Sequence, residues 1–254
     1  MKRLLLTSAF VLTVLIAGPA IAADLRQPVP VPVPVPVAGW TGFYIGAHIG
    51  AGLGTNDWTN VAVPFCCGTG TAGTGTTSGF IGGGQIGYNW QVGCAVIGVE
   101  GDFTGATVQG DTFLRPATLG ADGKHNTDWF ATVTGRLGAV VHGDTLVFVK
   151  GGGAWEEDRY NIQNIRANGD FIGSYPEVTD GRFGWTVGMG AEYRITSNWS
   201  VKLEYNFMDF GTKTVSFPEG TAGTPLTAAF SVDIGQRLHV FKVGLNYIFA
   251  PSVY

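Results

Sequence analysis

The chain has 254 residues, and only 13% of them are Asp, Glu, Lys or Arg, about half of the share in an average soluble domain. Its 40 glycines argue against a helical bundle, because a glycine costs about 1 kcal/mol in the interior of a helix. The formal net charge of −4 offers no basis for binding nucleic acid, and the many aromatic residues argue against a disordered chain.

The N-terminal residues have the pattern of a secretory signal peptide. Lys2 and Arg3 precede an apolar stretch over residues 4–17 that is too short to span a membrane as a helix, and Ala20–Ala22 provides a cleavage site of small residues. We therefore predict a signal peptide over residues 1–22. Residues 23–39 are rich in alternating Pro and Val, which predicts an extended periplasmic linker; a ligand for a proline-binding domain is the alternative.

From Trp40 onward, apolar residues alternate with small or polar ones, and a period of two predicts β-strands. Eight strands are predicted, at residues 42–52, 79–90, 95–104, 128–141, 145–155, 182–194, 199–209 and 238–249. The predicted connections are short at 91–94, 142–144 and 195–198, and long at 53–78, 105–127, 156–181 and 210–237. The third long connection begins with Glu156–Asp158.

This alternation of connections is typical of one kind of all-β protein. An antiparallel meander with an even number of strands places both termini and all short turns at one end, as in bacterial outer-membrane barrels with short periplasmic turns and long extracellular loops. The predicted outer face carries no charged residue, as expected where a Lys or Arg at mid-bilayer costs about 2–4 kcal/mol. We therefore predict an eight-stranded antiparallel up-and-down transmembrane β-barrel over residues 40–249, with a C-terminal tail over 250–254.

The charged residues of the predicted strands fall on the opposite face, toward the lumen. They are Glu100, Asp102, Arg136, Lys150, Arg182, Glu192, Lys202, Glu204 and Lys242. The interior of an eight-stranded barrel is only wide enough for side chains, and unpaired charges there are costly. We predict a salt-bridged plug, with a narrow or gated ion path as the alternative; acid–base catalysis is not expected, because no nucleophile or metal cluster accompanies these residues.

Aromatic residues cluster near the predicted strand ends, as in the girdles of transmembrane barrels. The predicted lower girdle contains Tyr88, Trp90, Tyr193, Trp199, Tyr247 and Phe249, and the predicted upper girdle contains Phe103, Trp129, Trp155, Phe183 and Phe207.

Several strings resemble the small outer-membrane barrels of α-proteobacteria. Residues 40–46 (WTGFYIG) resemble their first strand, residues 129–138 (WFATVTGRLG) their central strand, and residues 184–193, 198–205 and 209–211 their sixth and seventh strands. This family comprises major surface antigens and haemin-binding proteins, and it is similar in fold to the OmpA transmembrane domain. The resemblance implies a non-enzymatic surface protein for envelope integrity and surface presentation. A narrow passive pore, or haemin and surface-ligand binding through the loops, are the alternatives.

The last predicted strand suggests partners. Lys242, Gly244, Tyr247 and Phe249 resemble the C-terminal signal that the outer-membrane assembly machinery reads. The resemblance therefore implies that machinery and periplasmic chaperones as partners, together with outer-membrane lipids and lipopolysaccharide around the barrel.

Two further motifs are weak. Gly82, Gly84 and Gly87 match a dinucleotide fingerprint, but they fall inside a predicted strand with no helix after it, so we interpret them as strand glycines. His125 in a predicted loop and His239 near the top of the last strand are the haemin ligands that the resemblance suggests; no metal or other cofactor is predicted.

The three cysteines are predicted to lie at opposite ends of the barrel. Cys66 and Cys67 are neighbours in a predicted external loop, where a bridge between them would be strained. Cys94 lies in a short turn at the other end, so we expect it to be a free thiol.

Overall fold

The structure is a computed structural model that describes residues 39–59, 73–114, 119–167, 170–219 and 229–249. The predicted signal peptide, the predicted linker up to residue 38, the predicted tail over 250–254, and Cys66 and Cys67 lie outside the described residues. Within the described ranges, no helix is long and apolar enough to cross a membrane. The strands are β1 (Gly42–Thr59), β2 (Gly73–Val92), β3 (Ala95–Leu114), β4 (Leu119–Val141), β5 (Thr145–Ala167), β6 (Asp170–Gly173), β7 (Val178–Arg194), β8 (Trp199–Phe217) and β9 (Phe230–Ile248).

Eight of these strands close into a ring. β1 pairs with both β2 and β9, and the pairing of β4 with β5 completes the circle in the order β1-β2-β3-β4-β5-β7-β8-β9. Every neighbouring pair is antiparallel, and the short β6 folds back on the end of β5. The predicted all-β, eight-stranded up-and-down barrel is therefore confirmed.

The short connections lie at the same end of the barrel as the start of β1 and the end of β9. The connections His142–Asp144 and residues 195–198 are as predicted, and the first is shortened from 91–94 to Gly93–Cys94; Gly93, His142 and Gly143 adopt positive φ angles of 62°, 55° and 73°. The end of β9 lies beside the start of β1, where the backbone N–H of Phe249 donates to the carbonyl of Phe43 at 2.8 Å. We call this end of the barrel the turn end and the opposite end the loop end.

The described parts of the predicted long loops are mostly strand, so the predicted strand ends on this side were wrong. β3 ends at Leu114 rather than at residue 104, and β5 at Ala167 rather than at residue 155. Near the loop end the polarity of the barrel is reversed: Trp58 and Phe217 point inward and are buried, whereas Ser216 faces outward. The predicted strands end where this reversal begins, because they are recognised by their apolar outer faces. The period of two continues beyond that point.

Two β-bulges mark the reversal. In β8, the even-numbered residues 200–210 are buried, but after the bulge between Asp209 and Gly211 the buried residues are Val215 and Phe217. The register shift between residues 127 and 129 changes the inward face of β4 in the same way. Because a bulge adds one residue to one strand, it exchanges the two faces of everything that follows.

Between the two ends, the outer wall is apolar. Its described part carries no Asp, Glu, Lys or Arg between the aromatic rings of the turn end and those near the loop end, and Leu203 in its middle is 63% exposed. The first charged residues outside are Asp128 and Asp209, which lie at the loop-end limits of their predicted strands and are exceptions to the predicted charge-free face. At ~3.3 Å per residue and a tilt of about 40°, the wall from Thr145 to Trp155 is roughly 25 Å high, the height of the apolar band in transmembrane barrels.

A charge placed on this wall should destabilise the barrel only at mid-height. Leu203→Arg is expected to lower the free energy of unfolding by about 2–4 kcal/mol, because it puts a guanidinium among lipid chains. Ser216→Arg, on the outer face of the same strand but near the loop end, should change it by less than about 0.5 kcal/mol. Urea unfolding in lipid vesicles, followed by tryptophan fluorescence, measures both. Equal losses for the two variants would contradict the position of the apolar wall.

Candidate functional site

Inward-facing side chains fill the barrel in five layers, and β5 passes through all of them. From the turn end, its buried residues include apolar Leu146, charged Lys150, apolar Ala154, charged Asp158 and apolar Ile162. We call these levels the lower apolar layer, the central charge network, the middle apolar layer, the upper polar layer and the upper apolar layer.

The three apolar layers are each a cluster of buried side chains contributed by several strands. The lower apolar layer contains Trp40, Tyr44, Val96, Leu146, Phe148 and Ile248. The middle apolar layer contains Ile81, Val108, Phe130, Ala154, Met208, Phe210, Leu238 and Val240. The upper apolar layer contains Trp58, Tyr160, Ile162, Ile165, Tyr175, Val215, Phe217, Val232 and Ile234.

Glu100 of β3 is the centre of the charge network. Its Oε1 accepts hydrogen bonds from the Nζ atoms of Lys150 (2.8 Å) and Lys202 (3.1 Å). Its Oε2 accepts from Lys202 (2.9 Å) and from the hydroxyl of Tyr44 (2.7 Å), and Nη1 of Arg136 lies 3.9 Å away. Side chains of β1, β4, β5 and β8 thus converge on one carboxylate of β3 that is only 3% exposed.

Glu204 and Asp102 lie beside Glu100 and could form a metal site with it, since the three carboxylates approach within 4.8 Å of one another. Ammonium groups already occupy this position, however. The Nζ of Lys150 lies 2.7 Å from Glu204 and the Nζ of Lys202 lies 3.0 Å from it. The positive charge that a metal would supply is therefore provided by lysines.

The remaining charges of the network pair at its edges. Lys242 donates to Asp102 at 2.5 Å, and Arg136 donates to Glu192 at 2.8 Å. Glu192 also accepts from the hydroxyl of Ser200 at 2.5 Å. The network therefore contains four carboxylates and four cationic side chains, all buried, and no charge is in excess.

Neutral polar side chains of β1, β2, β3 and β9 complete the network. His48 lies 2.5 Å from Oε1 of Gln85 and 2.9 Å from the hydroxyl of Thr104, and Gln85 donates to Asn246 at 2.7 Å. With these residues, all eight ring strands contribute a polar side chain to the same level of the barrel.

Glycines in the strands make room for these long side chains. A Cβ at Gly87 would overlap the hydroxyl of Tyr44 and lie 2.6 Å from the carbonyl oxygen of Val99. Gly87 belongs to the sequence motif with Gly82 and Gly84, which lies wholly inside β2 and is followed by β3. Gly87 therefore serves packing within the barrel, and all three are strand glycines, as the sequence interpretation expected.

The structure separates Arg182 from the other eight predicted lumen charges. Its side chain lies in the upper polar layer, above the middle apolar layer, where Nη1 donates to the carbonyl of Ile234 at 2.7 Å and Nε to Asp180 at 3.3 Å. The prediction of one common network was wrong for this residue, because the alternation of a strand reveals the face of a residue but not its height relative to other strands.

Trp40 closes the barrel interior at the turn end, and this closure was not predicted from the sequence. Trp40 is fully buried, its backbone N–H donates to Oε1 of Gln91 at 2.6 Å, and the guanidinium of Arg194 lies 4.5 Å from the centre of its ring. Arg194 also donates to the carbonyl of Gly39 at 2.9 Å. The alternation over 182–194 places Arg194 inward, so its charge could have been included from the sequence; the return of Trp40 into the barrel had no sequence signal.

His125 and the acidic residues Glu156 and Asp158 are not in loops, contrary to the prediction. His125 lies on β4 and is 2% exposed; its Nδ1 is 2.7 Å from Nδ2 of Asn56, and its Nε2 is 3.1 Å from Asp158. Tyr160 donates to Asp158 at 3.2 Å. Together with Arg182, these residues form the upper polar layer, and sequence reasoning missed them because it ended the strands too early.

His239 and Cys94 lie outside the barrel interior. His239 is half-buried on the outer wall, where its Nδ1 is 2.8 Å from the hydroxyl of Tyr205 and its ring packs against Phe207. Cys94 is an exposed free thiol in the turn between β2 and β3.

The predicted aromatic residues lie in rings on the outer wall. Ring centroids are 4.6 Å apart for Tyr88–Trp90, 5.1 Å for Trp199–Tyr247, 5.5 Å for Phe103–Trp129 and 5.1 Å for Trp155–Phe183, and Tyr193 is exposed on the same wall. The residues of the predicted assembly signal alternate between the two faces of β9: Lys242 and Gly244 point inward, and Tyr247 and Phe249 point outward.

Comparison with known proteins agrees with this architecture. Residues 10–249 match the model of the outer membrane protein beta-barrel domain. The 31 kDa outer-membrane immunogenic protein of Brucella melitensis is 33% identical over 177 residues, 68% of either chain. The chain belongs to the outer membrane protein beta-barrel domain family. It is therefore an integral outer-membrane protein, and its apolar wall is the surface that faces lipid.

Other members and folds are more distant from this outer-membrane barrel. The 22 kDa outer membrane protein of Rhizobium leguminosarum is 32% identical over 147 residues, which is 57% of this chain and 59% of that protein. The crystal structure of OprG from Pseudomonas aeruginosa has a TM-score of 0.53 at 14% identity and covers 84% of this chain and 98% of its own. OprG therefore supports the fold alone.

The buried ion pairs should be strongly coupled. Asp102→Asn and Lys242→Met are each expected to lower the free energy of unfolding by about 3–5 kcal/mol, because each leaves one charge unpaired inside the barrel. The double variant should cost about 1–3 kcal/mol less than the sum of the single losses. The exposed pair Asp128–Arg159, treated identically, should show almost no coupling, because water screens it. Additive losses for the buried pair would contradict a direct interaction.

Proposed function

We propose that this protein is a closed, non-enzymatic barrel that contributes to envelope integrity and presents its loop end at the cell surface. The observation that carries the proposal is the filled interior. Three apolar layers cross the lumen at different heights, and the charged residues between them are nearly inaccessible: Lys202 is 1% exposed and Arg136 is 3% exposed. A water-filled pore would leave these side chains hydrated, so the filled lumen supports a structural role over transport.

The same burial argues against the other candidate functions. The carboxylates of the central network are covered on both sides by apolar layers, so a substrate has no access to them. Haemin binding through His125 is not favoured either, because this side chain is buried between Asn56 and Asp158. His239 faces the lipid wall and is engaged with Tyr205.

The orientation follows from the family architecture, in which short turns face the periplasm and longer loops face outward. The loop end has a polar exterior with exposed ion pairs such as Lys213–Asp180 at 2.7 Å, which suits a part that projects from the bilayer. The name of the Brucella relative describes it as immunogenic, which supports surface exposure of such a loop end. In this orientation lipopolysaccharide surrounds the loop end, and the assembly machinery contacts Tyr247 and Phe249 of β9 from the periplasmic side.

Planar-bilayer recording tests the closed lumen. The purified, refolded protein is expected to give no stable channels under conditions in which a general porin conducts, because no continuous aqueous path crosses the apolar layers. Heat-modifiable gel migration confirms that the inserted sample is folded. Steady conductance that changes in the Arg136→Ala variant would show instead that ions pass through the central charge network.

The exposed thiol of Cys94 provides a test of orientation. In a Cys66→Ser, Cys67→Ser background, a membrane-impermeant maleimide added to whole cells should leave Cys94 unlabelled, and it should react after the outer membrane is permeabilised. A cysteine introduced at Ser216, on the outside of the loop end, should show labelling of whole cells in a background that also lacks Cys94. The reverse pattern would place the turn end at the cell surface.

A further inference from the structure

The upper polar layer differs from the central charge network in its balance of charge. Its acidic residues are Glu156 and Asp158, which are 2% and 0% exposed. Its one permanent cation, Arg182, directs two of its nitrogens to Asp180 and to the carbonyl of Ile234. Asp180 in turn pairs with Arg182 and Lys213, so one of the two buried carboxylates has no cation of its own.

Glu156 is the carboxylate that lacks a cationic partner. Among the described residues, neither of its oxygens receives a hydrogen bond from a donor, and no basic group lies within ion-pair distance of it. Glu156 and Asp158 occupy successive inward positions of β5, and their carboxyl groups lie within hydrogen-bonding reach of each other. Two buried carboxyl groups at this distance cannot both carry a charge with nothing between them, so either a shared proton or a metal cation lies there, because burial makes uncompensated charge costly.

A buried amide oxygen without a hydrogen-bond partner, Oδ1 of Asn56, lies in the same layer. The side chain of Asn56 is fully buried and reaches this layer from β1, across the barrel, with Nδ2 2.7 Å from His125. Its Oδ1 has no hydrogen-bond partner. His125 in turn lies 3.1 Å from Asp158, so the free amide oxygen belongs to the same layer as the two carboxylates. Carboxylate and amide oxygens are the ligands that hard divalent cations prefer.

We propose that the upper polar layer binds one hard divalent cation of the Ca²⁺ class between Glu156 and Asp158, with Oδ1 of Asn56 as a further ligand. The cation supplies the charge that the layer lacks and links β1 to β5 above the bilayer wall. The carboxylates of the central network do not compete, because Lys150, Lys202 and Lys242 already neutralise them. The apolar layers above and below enclose the site, so the cation enters as the barrel folds.

Terbium luminescence tests the site, with Tb³⁺ as the probe for a Ca²⁺ position. The protein is refolded in detergent with Tb³⁺, and emission is excited through Tyr160, whose hydroxyl lies 3.2 Å from Asp158. Wild type should bind about one equivalent, and Ca²⁺ present during refolding should prevent this binding. Glu156→Gln should weaken binding at least tenfold. Glu157→Gln, which removes the neighbouring carboxylate on the outer face, should bind as wild type does.

The wild-type protein provides a second test, which applies even if Glu156→Gln fails to fold. Wild type refolded in Ca²⁺ and then dialysed should retain about one Ca²⁺ per chain by elemental analysis, and it should unfold at a higher temperature than protein refolded in EDTA. Folded wild type without bound metal, and equally stable in Ca²⁺ and EDTA, would overturn the proposal and assign the layer to a proton shared by Glu156 and Asp158. Equal Tb³⁺ emission from wild type and folded Glu156→Gln would also overturn it.

Discussion

The structure depends on the narrowness of a closed eight-stranded ring, whose interior accommodates side chains and little else. Every inward side chain must therefore find its partner inside the barrel. Glu100 meets this constraint for the central level, since donors from β1, β5 and β8 reach its two oxygens at 2.7–3.1 Å. The same closeness requires glycine where another side chain crosses, as at Gly87 beneath Tyr44. Charge pairing and small residues are thus two consequences of one geometry.

The second constraint is the solvent outside, which changes along each strand. At mid-height the barrel has apolar residues outside and charges inside, and near the loop end it has polar residues outside and an apolar cluster inside. β5 satisfies both environments with one inward face, because the residue types on that face change from charged Lys150 to apolar Ile162, whereas in β8 the bulge between Asp209 and Gly211 exchanges the two faces. The upper polar layer lies at this transition, which explains why polar groups there are less completely paired than those of the central network.

These constraints explain what the sequence could predict. Residues such as Leu203 and Lys202 precede the bulge of β8, so their alternation assigns them correctly to the wall and the lumen. Beyond the bulge of β4 the same alternation assigns the wrong face, which is why His125 was placed in a loop, and Asp158 was placed in a loop because the predicted strand ended where the outer face stops being apolar. Relative height is also absent from the alternation, because it depends on the stagger between strands, and this is why Arg182 was grouped with the central network. The contact of Trp40 with Arg194 joins residues that are distant in the sequence, and no local pattern predicts it.

The register of strand pairing explains why the lumen contains charges rather than an apolar core. Buried ion pairs add little net stability, because desolvation of the ions offsets their attraction. A slip of one residue, however, exchanges the two faces of a strand. In β8 such a slip would move Lys202 and Glu204 onto the lipid wall, where a Lys alone costs about 2–4 kcal/mol, and would bring Leu203 among the polar groups of the lumen. Lumen charges on six of the eight ring strands thus penalise most misregistered pairings, whereas an apolar lumen between apolar walls would tolerate them. The network therefore acts less as a source of stability than as the feature that selects one register for the ring.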